Sequence, residues 1–270
     1  MNKTFKQKVV IITGGSSGIG KACAIKLAKQ GAKISIASRN GENLEKVAQE
    51  CRSYGAKAIA VPTDVSDKDS CKQLIEKTVK EFQQIDMLIN NAGYTMWAKF
   101  ENIHDFDPFE KLIKVKLNGS IYCTYYALPY LKLTKGRIVA VSSLTGKISV
   151  PTRSYYSASN HAIAGFFNSI RTELACYGIS VSIVYPGFVA TKIRERALGH
   201  DGKTIGKSHI SEKNIVSTEA CADIIINAAL ERQREVLLTF KDKLATWLNM
   251  FIPQLVDIIS KKKLNYNILD

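Results

Sequence analysis

The 270-residue sequence contains no Cys-x-x-Cys pair, and none of its four histidines stands at metal-ligand spacing from a cysteine. That excludes zinc modules and dithiol redox motifs, and no metal is expected. The six cysteines, Cys23, Cys51, Cys71, Cys123, Cys176 and Cys221, are scattered and read as reduced, mostly packed thiols of a cytoplasmic protein. The opening stretch "MNKTFKQKVVIITGG" has too short an apolar run for a signal peptide and passes directly into a strand pattern, so secretion is not expected. Fixed-period repeats and low-complexity tracts are lacking, so disorder is not expected outside the ends. Acidic residues are the scarce charge, 24 against 38 lysines and arginines, giving a net charge of +14. Such a surplus attracts anions in general. Yet the cations are spread along helices rather than interleaved with aromatic residues, so a solvated basic surface is the ordinary reading and no nucleic-acid partner is expected.

What is present is an alternation of short strands and helix-length segments. The runs "KVVIIT", "KISIAS", "AIAVP", "MLIN", "RIVAVSS", "SVSIVYP" and "EVLLT" are each long enough for a buried strand. Between them lie amphipathic segments at about 18–30, 41–54, 67–82, 106–133, 156–176 and 218–232. Strands alternating with helices imply right-handed crossovers and a parallel sheet covered on both faces. The expected fold class is therefore α/β, a three-layer, doubly wound parallel sheet, Rossmann-like, of about seven strands. In "DVSDKDS", Ser66 is the expected N-cap of the third helix, and "ACYGIS" ends a later helix at Gly178. No linker divides the chain. Residues 1–240 read as one nucleotide-binding and catalytic domain with a substrate loop at about 191–216, and residues 241–270 as an amphipathic extension of it.

After the first strand comes "TGGSSGIG", Thr13 to Gly20. Gly14, Gly18 and Gly20 permit a tight turn, close approach of a pyrophosphate and close helix–strand packing. Ser16, Ser17 and Ile19 complete a turn whose helix N-terminus turns unpaired N–H groups toward phosphates. The placement between the first strand and first helix of a βαβ unit makes this a strong dinucleotide signal. At the end of the second strand, "IASRN" puts Ser38 and Arg39 where an acidic residue would hold the ribose of NAD. A guanidinium pairs with a 2′-phosphate, so NADP(H) is favoured over NAD(H).

With these residues in place the chain resembles the short-chain dehydrogenase/reductase family, from about Lys8 to Leu238. The matching pieces are "TGGSSGIG", Asp64-Val65, "NNAG" at Asn90 to Gly93, Ser142-Ser143, "YSAS" at Tyr156 to Ser159, and "PGFVAT" at Pro186 to Thr191. The resemblance implies an adenine side at Asp64 and Val65, with Asn91, Ala92 and Gly93 along the cofactor. It also implies a nicotinamide side at Pro186, Gly187, Val189 and Thr191. It further implies a carbonyl or alcohol substrate, hydride transfer, and a homodimer or homotetramer built on the helices at 106–133 and 156–176. A tyrosine exchanges the proton in that family, a serine binds the substrate oxygen, a lysine four residues after the tyrosine lowers its pKa, and an asparagine supports a relay water. The family's serine-to-tyrosine interval of thirteen fits both Ser143 with Tyr156 and Ser142 with Tyr155. The "YSAS" that follows favours Tyr156 as the acid/base and Ser143 as its partner, leaving Tyr155 to packing.

Two positions depart from the family pattern. The lysine position is Asn160, and in "LIKVKLNGSIYCT" alignment on Gly119 puts Lys116 where asparagine is usual. Asn118, two residues on, points about 200° away around a helix and is a poor substitute. The two residue types have thus changed places. A phenol titrates near ~10, and a cation ~4 Å away at an effective dielectric of ~20 favours its ionised form by ~4 kcal/mol. The expectation is that Lys116 supplies this charge while Asn160 hydrogen-bonds the ribose or relay water. The alternatives are an impaired reductase and a nucleotide-binding sensor without turnover.

The segment after Thr191, "KIRERALGHDGKTIGKSHISEKN", corresponds to the family's variable substrate loop and reads as a basic, mobile lid; Lys192, Arg194, Arg196, Lys203, Lys207 and Lys213 suit an anionic or phosphorylated substrate, with a solvated loop as the ordinary reading. Beyond the last strand, "KLATWLNMFIPQLVDIISKKKLN" carries apolar residues at helical spacing followed by lysines, but is too short and polar to span a membrane. Such a segment suits an anionic membrane surface, a cover over the substrate pocket, or another subunit. "GGSSGIGK" and "KFEN" look similar to branches that reduce keto groups on lipid precursors, such as 3-ketosphinganine or acyl-dihydroxyacetone phosphate. The function expected from the sequence is NADPH-dependent reduction of a carbonyl, with a hydrophobic ketone as the candidate substrate.

Overall fold

A computed structural model of the chain describes residues 4–206 and 215–263. Seven parallel strands form one sheet: β1 (Val9–Thr13), β2 (Lys33–Ser38), β3 (Ala58–Pro62), β4 (Met87–Asn90), β5 (Arg137–Val141), β6 (Ser180–Tyr185) and β7 (Glu235–Leu237). Their order across the sheet is β3-β2-β1-β4-β5-β6-β7. All the strand-like runs seen in the sequence are strands. The order reverses between β1 and β4, and this switch point at the carboxyl edge is where a doubly wound sheet opens a crevice for ligands.

Alternate residues of the strands feed two cores. Val10 and Ile12 of β1 pack into one, with Leu27 of helix α1 (Gly18–Lys29), Val47 of α2 (Gly41–Ser53) and Ile225 of α7 (Thr218–Leu230). Ile11 of the same strand faces the other, with Leu74 of α3 (Lys68–Phe82), Ala127 of α5 (Gly119–Thr134) and Phe167 of α6 (Ser154–Ala175). The period of two in the strands thus divides the helices between the faces. A third, smaller cluster of Met96, Ala98, Ile103, Phe109 and Leu112 holds the ring of Tyr156 at the carboxyl edge.

Two local expectations need correction. The N-cap of α3 is Asp67, whose side chain accepts from Ser70 N at 2.8 Å, while Ser66 turns back to Asp64 through its amide and hydroxyl. The segment at 106–133 is not one helix either. It comprises α4 (Asp107–Ile113), a π-helical turn (Lys114–Asn118) and α5. In that turn Gly119 N bonds back to Lys114 O, and the Ser120 hydroxyl takes the Lys116 carbonyl at 2.7 Å. A side chain occupying the carbonyl in this way loosens the regular ladder, and π turns of this kind recur at functional sites.

Two C-terminal helices, α8 (Phe240–Phe251) and α9 (Pro253–Lys263), follow β7. A capping box between Thr239 and Asp242 starts α8. These helices leave Phe240, Trp247, Met250, Phe251 and Ile258 exposed on their outer side. Among the described residues no helix is long and apolar enough to cross a membrane.

Packing at the start of α5 gives a stability test. A Cβ at Gly119 would meet Val65 Cβ and its carbonyl oxygen at 2.8 Å, whereas one at Gly165, mid-α6, meets nothing within 4 Å. Gly119→Ala should destabilise by ~1–3 kcal/mol through overpacking, and Gly165→Ala should stabilise by ~0.5–1 kcal/mol through helix propensity. Urea unfolding of the two variants measures both signs.

Candidate active site

The crevice at the switch point is a single large cavity of about 2160 Å³. Of the residues assigned to a cofactor or to catalysis from sequence, all border it except Gly20 and Asn160. At one end stands the glycine loop. Gly14 has a positive φ of 67°, and a Cβ at Gly20 would lie 2.3 Å from the Gly14 carbonyl oxygen, so neither tolerates a side chain. Gly20 therefore packs the loop rather than lining the cavity. The loop is fixed from the side by Asn91, whose amide group donates to Thr13 O at 3.0 Å and to Gly14 O at 3.3 Å. Ser17, the N-cap of α1, makes no side-chain capping bond, and the first turn carries no acidic residue. The free N–H groups of this helix end, a glycine turn without Cβ atoms and the Arg196 guanidinium 3.4 Å from Ser17 Oγ together suit a pyrophosphate.

At the end of β2, Ser38 and the exposed Arg39 border the same cavity. Burial pushes the Asp64 carboxyl up, but hydrogen bonds from Ser66 and the Arg39 charge outweigh this and hold it below the ordinary range. Burial raises the neighbouring Tyr94 phenol to about 12, with Arg39 opposing. Val65, Ala92 and Gly93 continue the lining toward the centre, and Pro186, Gly187, Val189 and Thr191 lie along the segment after β6.

The catalytic candidates meet where β5 and α6 face each other. Ser143 Oγ accepts from Thr145 N at 3.2 Å and caps a 3₁₀ turn at Leu144–Gly146, which leaves its own proton free to donate. Ser142 Oγ is spent on Asn160, donating to its backbone oxygen at 3.1 Å and to Oδ1 at 3.3 Å. Tyr156 borders the cavity, while Tyr155 packs on Phe109 and Phe106 with ring centroids at 5.6 and 6.4 Å. The ambiguity between the two Ser–Tyr pairs is a matter of which hydroxyls are free, and it is the Ser143 and Tyr156 pair that faces the open space.

Asn160 does not do what its position suggested. It is fully buried, and its amide donates to Tyr156 O at 2.7 Å and Thr145 Oγ1 at 3.3 Å while its oxygen takes Ser142. All its polar atoms are used inside the protein, so a ribose or relay water is out of its reach. Lys116, buried in the π turn, lies against Gly93 and donates to Val141 O at 3.1 Å, with Nζ 5.8 Å from the Tyr156 ring centroid. Burial pushes its pKa down to about 8, which leaves the ammonium the main form at neutral pH.

Two buried arginines were not anticipated. Arg153 ends the loop before α6, donates from Nη1 to Thr95 Oγ1 at 2.8 Å, and lies over the rings of Trp97 and Tyr156 at 4.7 and 5.9 Å. Arg194, counted from sequence among the cations of a solvated loop, is 4% exposed and donates from Nη1 to Val189 O at 3.3 Å. The described part of that loop is tied down, with Trp97 N bonding Leu198 O and Leu198 N bonding Thr95 O. Its remainder, including Lys207, His209 and Lys213, lies outside the described residues. The one available signal for Arg153 was its place in "PTRSYYSAS", a charged residue directly before a buried helix start. Among the described residues no group of His, Cys, Asp and Glu could hold a metal. Leu248 of α8 and Val256 and Ile259 of α9 close the cavity on its apolar side.

A family model described as short chain dehydrogenase matches residues 8–201. Dehydrogenase/reductase SDR family protein 7-like of Dictyostelium discoideum is 32% identical over 265 residues, 96% of this chain and 82% of that protein. The 11-beta-hydroxysteroid dehydrogenase 1A of Arabidopsis thaliana is 33% identical over 257 residues, 93% of this chain and 73% of that protein. Among solved structures, a short-chain dehydrogenase/reductase of unknown function from Caenorhabditis elegans, with cofactor, aligns at a TM-score of 0.78 and 29% identity, covering 89% and 96% of the two chains. One from Burkholderia phymatum in complex with NAD aligns at 0.82 and 23% identity, covering 95% and 97%, which speaks to the fold alone.

The depressed lysine gives a pH test. Between about 8 and 10.5 the unfolded chain still carries a proton that folded Lys116 has shed, so this residue makes stability rise with pH across that window. The burial penalty at neutral pH amounts to ~3 kcal/mol. Lys116→Met should therefore be more stable than the parent at pH 7, and calorimetric unfolding should show the difference narrowing as pH approaches 10.5.

Proposed function

The chain belongs to the short-chain dehydrogenase family, and on that premise we propose that it reduces a carbonyl compound to the alcohol with NADPH. One observation carries this reading: Ser143 and Tyr156 turn free hydroxyls into the same cavity that the glycine loop opens at the switch point. When bound, the reduced nicotinamide supplies a hydride to the carbonyl carbon. The Tyr156 hydroxyl donates its proton to the carbonyl oxygen, and Ser143, its own proton unspent, hydrogen-bonds the same oxygen as negative charge grows there. Lys116 is the cation retained near the tyrosine, and a nearby positive charge favours the ionised partner that this proton transfer leaves behind. Asn160 positions Tyr156 by taking its backbone carbonyl.

The preference for NADPH is supported by Ser38 and Arg39 at the end of β2, a strand that ends without the acidic residue that would take ribose hydroxyls. Arg39→Ala should weaken NADPH binding roughly tenfold and leave NADH binding little changed, as read by fluorescence titration.

A second reading, a nucleotide-binding sensor without turnover, is favoured by the neutral, fully engaged Asn160. Consumption of NADPH with a panel of neutral and anionic ketones separates the two. Under the reductase reading Tyr156→Phe lowers kcat by ~10²–10⁴ while cofactor binding persists, and Lys116→Ala gives a smaller loss. Binding without any turnover by the parent across the panel would leave the sensor reading standing.

A further inference from the structure

Arg153 is the charged group that the reaction above leaves unused. It is 7% exposed and borders the cavity, yet its Nη2 has no hydrogen-bond partner among the described residues. A buried guanidinium N–H without an acceptor is costly, and such groups are almost always matched when a site is filled. Nor is its charge balanced. Among the described groups acting on Arg153, Tyr156 alone is of opposite sign, and Arg194 repels it. Tyr156 can bear at most one negative charge, and Lys116 lies at the same ring at nearly the same distance as Arg153. Even with the tyrosine ionised, one buried cation at this wall keeps its full charge. Of the acidic residues in the lining, Asp64 belongs to the Arg39 end and Asp242 is held in the capping box of α8, and none of them is among the charges acting on Arg153.

The same cavity also has an apolar lining. Phe188, Leu248, Val256 and Ile259 offer apolar surface from the segment after β6 and from α8 and α9. A ligand that satisfies both walls carries an anionic group and a hydrocarbon chain. Arg153 lies over the ring of Tyr156 itself, so the anion and the reacting carbonyl must be within a few bonds of each other.

We infer that the substrate is an amphiphilic oxo acid whose anionic group seats on Nη2 of Arg153, with its carbonyl at Tyr156 and Ser143 and its chain along α8 and α9. This inference rests on the reductase reading. A carboxylate and a phosphorus oxyanion present the same chemistry to a guanidinium fork. The C=O π bond is replaced by a C–H bond made with the nicotinamide hydride and an O–H bond made with the tyrosine proton. The 2-oxo or 3-oxo acid becomes the hydroxy acid, and NADPH becomes NADP⁺.

The test compares 2-oxodecanoate, its neutral methyl ester and the acylphosphonate of the same chain with the holoenzyme. Expected is a kcat/KM for the acid, the phosphonate or both that exceeds the ester by roughly 30-fold, the better of the two identifying the headgroup. In Arg153→Met that ratio should collapse toward one, and Arg153→Lys should restore part of it. An ester reduced as well as either anion overturns the inference. So does an equal loss for acid and ester in Arg153→Met, which would place the arginine in service of Tyr156 instead of the substrate. Calorimetry with the parent protein needs neither turnover nor a variant. Decanoate should bind the NADP⁺-loaded protein more tightly than decan-1-ol, and equal affinities would count against the anion seat. Reduction of no carbonyl compound at all would sink the reductase reading, with the calorimetric comparison still deciding the seat on its own.

Discussion

Everything at the site depends on one polar clamp at the switch point. The Thr13 hydroxyl accepts from Asn91 N at 3.0 Å and Ala92 N at 3.1 Å and donates to Ile89 O at 3.4 Å, joining the ends of β1 and β4 where their crossovers leave in different directions. Those two amides emerge past the last ladder bond of β4 and would otherwise have no partner. A single hydroxyl satisfies both, and that fixes the "NNAG" turn against the glycine loop. Gly93 of that turn in turn lies on Lys116, so the nucleotide end and the catalytic end share one rigid seam.

Around that seam the protein holds positive charge out of water. Lys116 and Arg153 flank Tyr156, and burial depresses both, the lysine to about 8. Buried cations of this kind reduce the stability of the empty protein and are relieved when a negative partner arrives. The same electrostatics that strain the empty site thus favour an anionic ligand. Asn160, by contrast, contributes no charge; its amide ties α6 to the turn after β5 and so keeps Ser143 and Tyr156 on the same wall.

The fold and most of the cofactor crevice were legible in the sequence for a local reason. Apolar runs of strand length, alternating with amphipathic segments, admit few arrangements other than a doubly wound sheet, and "TGGSSGIG" after the first strand puts a glycine loop at the switch point of that sheet. What was misread depended on side-chain partners. The exchange of Lys116 and Asn160 invited a simple trade of duties, but an asparagine carbonyl beside two hydroxyls is drawn into the interior. The helix at 106–133 looked continuous because a π turn leaves no signature in periodicity. Arg194 looked solvated because a loop residue's burial is set by the strand and helix ends it is pinned against.

Sequence by itself determined the sheet, the glycine loop and the absence of an acidic residue at Arg39, because each rests on a few neighbouring residues, whereas the spacing of thirteen left two Ser–Tyr pairs open. Only the tertiary structure added Arg153 to the Lys116 expected beside the tyrosine and showed that both are buried. Lys116 comes from a π turn and Arg153 from the loop before α6, both at the Tyr156 ring, while Arg194, from the segment after β6, acts on Arg153. Their common burial is a property of the carboxyl edge of the sheet, where the connections converge, and no spacing along one stretch of chain encodes it.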